Sequence, residues 1–400
     1  LWKMCAASDD IYLHFHEGWY NPREECYVTE LEAQANNYKD PGTGLDYTRL
    51  SEETYFFKMS KYQQALIDHI GSNKNFIRPE HRKNEILGFL RQPLSDLCIS
   101  RPKSRMSWGI DLPFDNDYVT YVWFDALINY ITAVGYGIDE KSFDKWWPAN
   151  MHLIGKDILT THAVYWPTML MSAGIDLPQT IFAHGWWLMG DSKMSKSLGN
   201  VINPMDLIED YGVDPVRYYL MREMVLGQDA NFTMESFIKR YNADLANDLG
   251  NLLSRVTNLI VKNFDGKVPN YGEFSSQESG MIKTANELSN IISQKIDDMK
   301  IHDAVEETFQ FVRSINRYLE ETAPWKLVKD DKDATARVLY SAAEALRIAA
   351  IILEPIMPNR MIDLLNALGT NNTKITWGEL QIGSEITKGE PLFPRIQVKD

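Results

Sequence analysis

Between residues 118 and 200 the chain alternates between two hydrophobic periods, and this restricts its fold more than any other feature. Residues 118–124, Tyr-Val-Thr-Tyr-Val-Trp-Phe, are β-branched and aromatic and read as a strand, followed by a helical stretch over 125–132. Residues 151–154 read as a second strand and 157–172 as a second helix; residues 180–183 read as a third strand. Strands alternating with helices predict a parallel α/β sheet of the doubly wound, nucleotide-binding kind, with ligands at the carboxyl ends of its strands. Three strands make about half of such a sheet, so 96–192 reads as the second half of a Rossmann-like domain.

The third strand leads into His184-Gly185, then a polar loop, Lys193-Met194-Ser195-Lys196-Ser197, closed by Gly199. Two cations three residues apart on a short loop can clamp a polyphosphate and stabilise charge that builds up in nucleotidyl chemistry. The motif alone is weak. Lys58-Met59-Ser60-Lys61 repeats four of its letters without the preceding strand or the following glycine, and reads as the start of a local helix.

Residues 1–95 mix an alternating run, 11–16, with a strand-to-turn signal at Gly18-Trp19-Tyr20, a turn cluster at 40–44 and helical stretches near 60–71 and 80–90. They read as an inserted connective subdomain with surrounding segments of the catalytic domain. His14 and His16 lack a cysteine partner nearby and read as surface residues rather than metal ligands. After Asn200 the sequence becomes helical. Residues 193–235 read as the lysine loop and a stem-contact region. Residues 236–370 read as a bundle of about five helices, with apolar residues at spacings of three and four from Leu245 to Ile260. Residues 371–400 read as an extended tail with apolar anchors.

A hydrophobic fraction of 44% supports sizeable cores, and no apolar run is long enough to span a membrane. Cys5, Cys26 and Cys98 are scattered, which predicts neither a disulfide framework nor a structural zinc site and points to a reducing compartment. A net charge of −14 argues against a general nucleic-acid coat but leaves room for a local basic groove.

Three groups of residues could carry chemistry. Ile158, His162 and Trp166 share one helical face, and Trp123, Ala126, Leu127 and Tyr130 another. Together they could wall an aromatic slot for a flexible thioether, or simply be core. Gly155-Lys156-Asp157 directly follows a strand, where a glycine admits close backbone approach and an acid can accept from ribose hydroxyls or cap a helix. Asn251 and Arg255, four apart on a polar helix face, and Trp325 after Ala323-Pro324 supply the amide, guanidinium and indole that reading unpaired bases requires.

In combination these segments resemble the methionyl-tRNA synthetase family of class I aminoacyl-tRNA synthetases over essentially the whole chain. The resemblance rests on Trp19-Tyr20, residues 55–62, Ile99-Ser100-Arg101, 121–130, 152–167, 184–200, 251–255 and 323–325. It implies a methionine pocket of Trp123, Ala126, Leu127, Tyr130, Ile158, His162 and Trp166, with Leu127 standing where a proline is common. It implies ATP binding by Gly155, Asp157, His184, Gly185, Lys193 and Lys196, catalysis by Lys193, Ser195, Lys196 and Arg101, and reading of the CAU anticodon by Asn251, Arg255 and Trp325. The implied reaction joins methionine to tRNA(Met) in two steps through methionyl-adenylate, with ATP as substrate and Mg2+ beside its phosphates.

Asn21-Pro22-Arg23-Glu24-Glu25-Cys26 stands where the family carries Cys-x-x-Cys pairs, so no zinc is expected. The family's His-x-Gly-His ATP signature does not occur in the 400 residues. The expectation is therefore a chain lacking an N-terminal part and inactive alone, a monomer with no membrane partner, cytoplasmic or in an organellar matrix. A tRNA-binding fragment or paralogue without catalysis is the alternative.

Overall fold

The structure, a computed structural model, describes residues 1–23, 26–190, 192–193 and 202–397. The chain divides into two compact units, Leu1–His184 and Gly185–Asp400.

In the first unit the predicted parallel sheet is present. Ile181–His184 lies between Ile77–Arg78 and His152–Gly155 and pairs in parallel with both. Ile77, Ile154, Ile181 and Ala183 are buried under Leu66, Ile70, Trp166, Met169 and Leu170. The strand Ile77–Arg78 comes from the region read as an inserted subdomain and has only two residues, too few to show a period. A second sheet is antiparallel, with Ile11–Asn21 and Thr48–Phe57 paired along ten positions and flanked by Cys26–Val28 and Leu97–Cys98. Its first strand does not turn at Gly18 as expected but runs on to Asn21. A Cβ at Gly18 would lie 2.7 Å from His16 Nε2 and 3.3 Å from Tyr27 Cδ1, so the glycine admits these rings rather than breaking the strand.

The run 118–124 departs from expectation. Its strand is Asp115–Thr120, paired antiparallel to Ser100–Pro102 and to Asp111–Leu112, and it takes no part in the parallel sheet. The helix Val122–Ala126 follows at once. The ladder to Ser100–Pro102 ends at Thr120. Beyond it Tyr121, Phe124, Leu127 and Ile131 are buried at intervals of three and four, a helical spacing that outweighs the β-propensity of Val122 and Phe124.

Two polar joints tie this unit together. The near-copy Lys58–Lys61 leads into the tight turn Met59–Tyr62, and both lysines are committed: Lys58 Nζ to Asp9 at 2.9 Å, Lys61 Nζ to Asp10 at 2.6 Å. Asp10 is fully buried and also accepts from the Tyr62 hydroxyl and from Ser172 Oγ at 2.7 Å. Burial alone would raise its pKa, but the bonds from Lys61, Tyr62 and Ser172 hold it below the ordinary value. Where the resemblance expects zinc ligands, Asp40 accepts from Asn21 Nδ2 at 2.9 Å, Arg23 Nη1 at 3.3 Å and the Thr43 amide at 2.7 Å. Burial opposes its ionisation, yet bonds from Thr43, Asn21 and Arg23 lower its carboxyl to about 2.

The second unit is mostly helical. Pro204–Tyr211, Val213–Glu223 and Met234–Arg240 precede a π-helical stretch, Tyr241–Gly250, that continues into Asn251–Asn263. Ser276–Asp297, Ile301–Thr322, Lys332–Leu353 and Pro358–Ala367 complete the bundle. Leu245, Leu249, Leu252, Val256 and Ile260 form the predicted stripe and pack in one core with Phe309, Val312, Ile315, Leu339 and Leu346. Ser275 and Glu278 form a reciprocal capping box that starts Ser276–Asp297. Lys332–Leu353 is buried nearly all round, as its alanine-rich sequence permits. Inside it, Glu344 and Arg347 are both fully buried and paired at 2.7 Å. Glu344 also accepts from the amides of Gly378, Glu379 and Leu380, and Arg347 donates to the carbonyls of Lys374 and Thr376. The tail is anchored as expected: Leu392 and Phe393 are buried, and Phe393 meets Tyr241 edge-on at 6.1 Å.

Candidate functional site

The two helical faces singled out in the first unit do meet. Gly155 ends its strand, Lys156–Ile158 makes one tight turn, and Thr161–Tyr165 is a π stretch that leads into Trp166–Ala173, with the Trp166 N–H bonded to the Thr161 carbonyl. His162 Nδ1 lies 2.9 Å from the Ile158 carbonyl and Nε2 lies 2.9 Å from the Tyr130 hydroxyl. A carbonyl only accepts, so Nδ1 carries the proton, Nε2 accepts, and Tyr130 donates. Burial lowers the pKa of His162 and raises that of Tyr130, which keeps both neutral. Trp123 meets His162 edge-on at 6.4 Å, and Tyr130 lies 6.3 Å from Trp166. Trp123, Ala126, Tyr130 and Ile158 are half-buried, whereas Leu127, His162 and Trp166 are buried, so the first four form the accessible side of the recess.

His152 was not singled out in the sequence. It points inward from its strand, tilted against the Tyr130 ring at 4.1 Å and 6.0 Å from Trp147. Burial, with a smaller contribution from His162, lowers it to about 4. The sequence Met151-His152-Leu153-Ile154 carries no polar–apolar alternation that could have found it; only the strand's burial pattern, with His152 and Ile154 inside and Leu153 outside, does.

Gly155, Asp157 and His184 also gather. Gly155 and His184 are paired across the parallel strands, and a Cβ at Gly155 would lie 2.6 Å from Asp157 Oδ1 and 3.9 Å from His184 Cε1. Gly155 thus leaves space that the Asp157 carboxylate fills. Gly185 opens the second unit, where a Cβ would lie 2.2 Å from the Gln228 carbonyl oxygen, so only glycine fits there. Arg101 is 1% exposed, with its guanidinium 4.5 Å from the Tyr121 ring and Nη1 donating to the Ser100 carbonyl at 2.8 Å. Burial works against its charge, but the neighbouring Cys98 and tyrosines raise its pKa. Of the lysine loop, Ser195 and Lys196 lie outside the described residues, as does the side chain of Lys193.

In the second unit Arg255 and Trp325 come together, the guanidinium 5.1 Å from the ring centroid. The helix Ile301–Thr322 stops at Ala323, whose φ of 41° is left-handed, and Pro324 then starts the short helix that carries Trp325. Arg255 Nη2 also pairs with Glu320 at 2.7 Å, a partner no sequence spacing indicated. Glu320 is mostly exposed, so this pair contributes less than about 1 kcal/mol and a ligand can displace it. Asn251 is exposed one turn before Arg255.

A parallel α/β sheet with aromatic side chains gathered beside its strand ends, followed by a helical bundle, is the architecture expected of a class I tRNA synthetase. The family model for tRNA synthetases class I (M) matches residues 1–257, and that for the anticodon binding domain of methionyl tRNA ligase matches residues 268–400. The chain belongs to this methionyl family. It is 44% identical to the methionine–tRNA ligase of Clostridium tetani, covering 100% of this chain and 63% of that protein. It is 42% identical to the methionine–tRNA ligase of Brucella suis, covering 100% of this chain and 79% of that one. The Mycobacterium tuberculosis methionyl-tRNA synthetase in complex with methionyl-adenylate superimposes with a TM-score of 0.90 at 39% identity, over 98% of this chain and 79% of that one. The chain spans less than two thirds of the length of the Clostridium tetani relative.

Proposed function

We propose that the protein to which this chain belongs joins methionine to tRNA(Met). The observation that carries this reading is the Tyr130–His162–Ile158 hydrogen-bond chain lining an aromatic recess in a member of this family. Both polar groups are neutral and partnered, so the recess offers polarisable walls and no charge. That suits a thioether better than a hydrocarbon or an ammonium. In the first step the methionine carboxylate attacks the α-phosphate of ATP and pyrophosphate leaves. In the second, a ribose hydroxyl of the tRNA 3′-terminal adenosine attacks the adenylate carbonyl and AMP leaves. Trp123, Ala126, Leu127, Tyr130, Ile158, His162 and Trp166 orient the amino acid, and Gly155, Asp157, His184 and Gly185 hold the nucleotide. Lys193, Ser195 and Lys196 are assigned to the developing phosphate charge, so the catalytic contribution is positioning plus electrostatics. Arg101, expected beside them, is 1% exposed, packed on Tyr121 and bonded to the Ser100 carbonyl, and is assigned a structural part instead.

Mg2+ would be held by the ATP phosphates and would share the negative charge on the departing pyrophosphate. Among the described residues no three His, Cys, Asp or Glu side chains cluster as a protein cage for a metal. No helix of the described residues is long and apolar enough to cross a membrane. A monomer, cytoplasmic or in an organellar matrix, completes the reading. Asn251, Arg255 and Trp325 read the anticodon within 236–370.

Methionine-dependent ATP–pyrophosphate exchange and tRNA charging test it together. Trp325→Ala in the full-length enzyme should reduce charging of tRNA(Met) by roughly tenfold to a hundredfold while leaving exchange unchanged. An equal loss in both would remove the anticodon assignment. The 400-residue chain alone, which lacks a His-x-Gly-His segment, should show no exchange, and methionine-dependent exchange by it would overturn that expectation.

A further inference from the structure

The helix Asn251–Asn263 has a second polar flank. Beside the face that meets Trp325, Ser254, Thr257 and Asn258 line a cleft of about 630 Å³, shared with Arg360, Asp363 and Asn366 of Pro358–Ala367 and with the tail segment 387–392. The volume is within the range that holds a small ligand. Steps of about 100° per residue place Arg255 on one shoulder of the helix and Ser254 on the other. Asn251 and Asn258, both exposed, form the ridge between them. The face assigned to the anticodon and this cleft are thus the two slopes of a single helix, separated by less than its diameter of ~10–12 Å.

The lining has a specific chemistry. Leu253, Ala367, Pro391 and Leu392 supply apolar wall. Above it stand two amides, Asn258 and Asn366, one ammonium, Lys388, one guanidinium, Arg360, and two carboxylates, Asp363 and Glu390. Among the described residues Arg360 and Asp363 pair with each other at 3.3 Å, with 42% and 55% of their side chains exposed. The charges balance, which disfavours a bare polyanion: the carboxylates would repel a run of phosphates. A nucleobase edge, in contrast, presents donors and acceptors side by side, and amides with carboxylates answer both. An unpaired loop nucleotide also carries a phosphate, which Lys388 or Arg360 can meet at the rim.

We infer that this cleft binds one unstacked nucleotide of the anticodon loop outside the triplet, its base among Asn258, Asn366 and Glu390. The inference rests on the anticodon reading of Asn251, Arg255 and Trp325, because it takes its ligand from the same loop.

The experiment measures fluorescence anisotropy of the 400-residue chain with a labelled stem-loop RNA carrying a CAU loop. Asn258→Ala/Asn366→Ala is compared with wild type, and each loop nucleotide outside the triplet is made abasic in turn. Both asparagines are exposed, and an unchanged circular dichroism melt confirms folding. The double variant should bind roughly tenfold more weakly. One abasic position should weaken the wild type by a similar factor and leave the variant unaffected. Wild-type affinity in the variant, or losses that add at every abasic position, would overturn the cleft. Trp325→Ala and a C-to-U change in the triplet, run alongside, separate the two readings. If they weaken binding and the cleft variant does not, only the cleft assignment falls; if they leave binding unchanged, the anticodon reading itself falls.

Discussion

Glu344 and Arg347 permit a sharp test, because the same two side chains would behave in opposite ways as an isolated ion pair and as a clasp. Both are fully buried. One Glu344 oxygen accepts from Arg347 Nη2, Gly378 N and Glu379 N, and the other from Arg347 Nε and Leu380 N. Glu344→Gln keeps the shape but turns one acceptor into a donor. It faces an N–H with an N–H and leaves the guanidinium without its counter-charge. Breaking a buried pair in this way costs about 3–5 kcal/mol, a large part of the 5–15 kcal/mol typical of whole-domain stability. An isolated buried pair can be replaced on both sides by apolar residues at little or no cost. Here Glu344→Leu/Arg347→Met should not recover, because the Leu380 amide is then buried without an acceptor and the other loop groups must find water. Each orphaned group costs about 1–3 kcal/mol, so the double variant should remain at least about 2 kcal/mol below wild type. Urea denaturation followed by far-ultraviolet circular dichroism gives the global value. Hydrogen exchange at Gly378, Glu379 and Leu380 gives the local one, with protection lost in both variants. A double variant within about 1 kcal/mol of wild type, with those amides still protected, would refute the clasp.

Two further outcomes concern the first unit. The His152 imidazole is lowered to about 4 against an ordinary 6.5, so the unfolded chain binds the extra proton between these values and stability falls as pH drops from about 6.5 toward 4. The full shift corresponds to about 3 kcal/mol; His152→Gln should flatten this slope in melts taken from pH 7 to 5, and an unchanged slope would count against it. Asp10→Asn should destabilise the first unit by about 2 kcal/mol through its bonds to Tyr62, Ser172 and Lys61, whereas Lys61→Met in the full-length enzyme should leave ATP–pyrophosphate exchange intact. Loss of exchange in Lys61→Met, with folding preserved, would show that the near-copy of the lysine motif acts on phosphate after all.

What could be read from the sequence was whatever is written in local period. The stripe from Leu245 to Ile260 and the strands at 151–154 and 180–183 form the elements their spacing predicts. The facing of Tyr130 and His162, 32 residues apart, follows from helix faces placed beside one strand end. Residues 122–124 read as strand but open the helix Val122–Ala126, because β-branched and aromatic residues favour strands until a ladder runs out of partners, and the three-residue length of Ser100–Pro102 is a tertiary fact. Ile77–Arg78 is too short for any period. The partners of Asp10 and of Arg255 come from distant parts of the chain, and Glu344-x-x-Arg347 looks like any exposed helical salt bridge until its burial is known.

The π stretch Thr161–Tyr165 has a consequence of its own. A helix that closes one hydrogen bond over five residues instead of four carries, in effect, one inserted residue. Removing any one residue there would leave a sound α-helix, and the core would tolerate the change as a helix. The helices on either side would keep their facing, because the wide turn absorbs the extra residue where it stands. What a deletion changes is local: the turn that carries His162 tightens, and the bond of that ring to the Tyr130 hydroxyl is set by the wider turn.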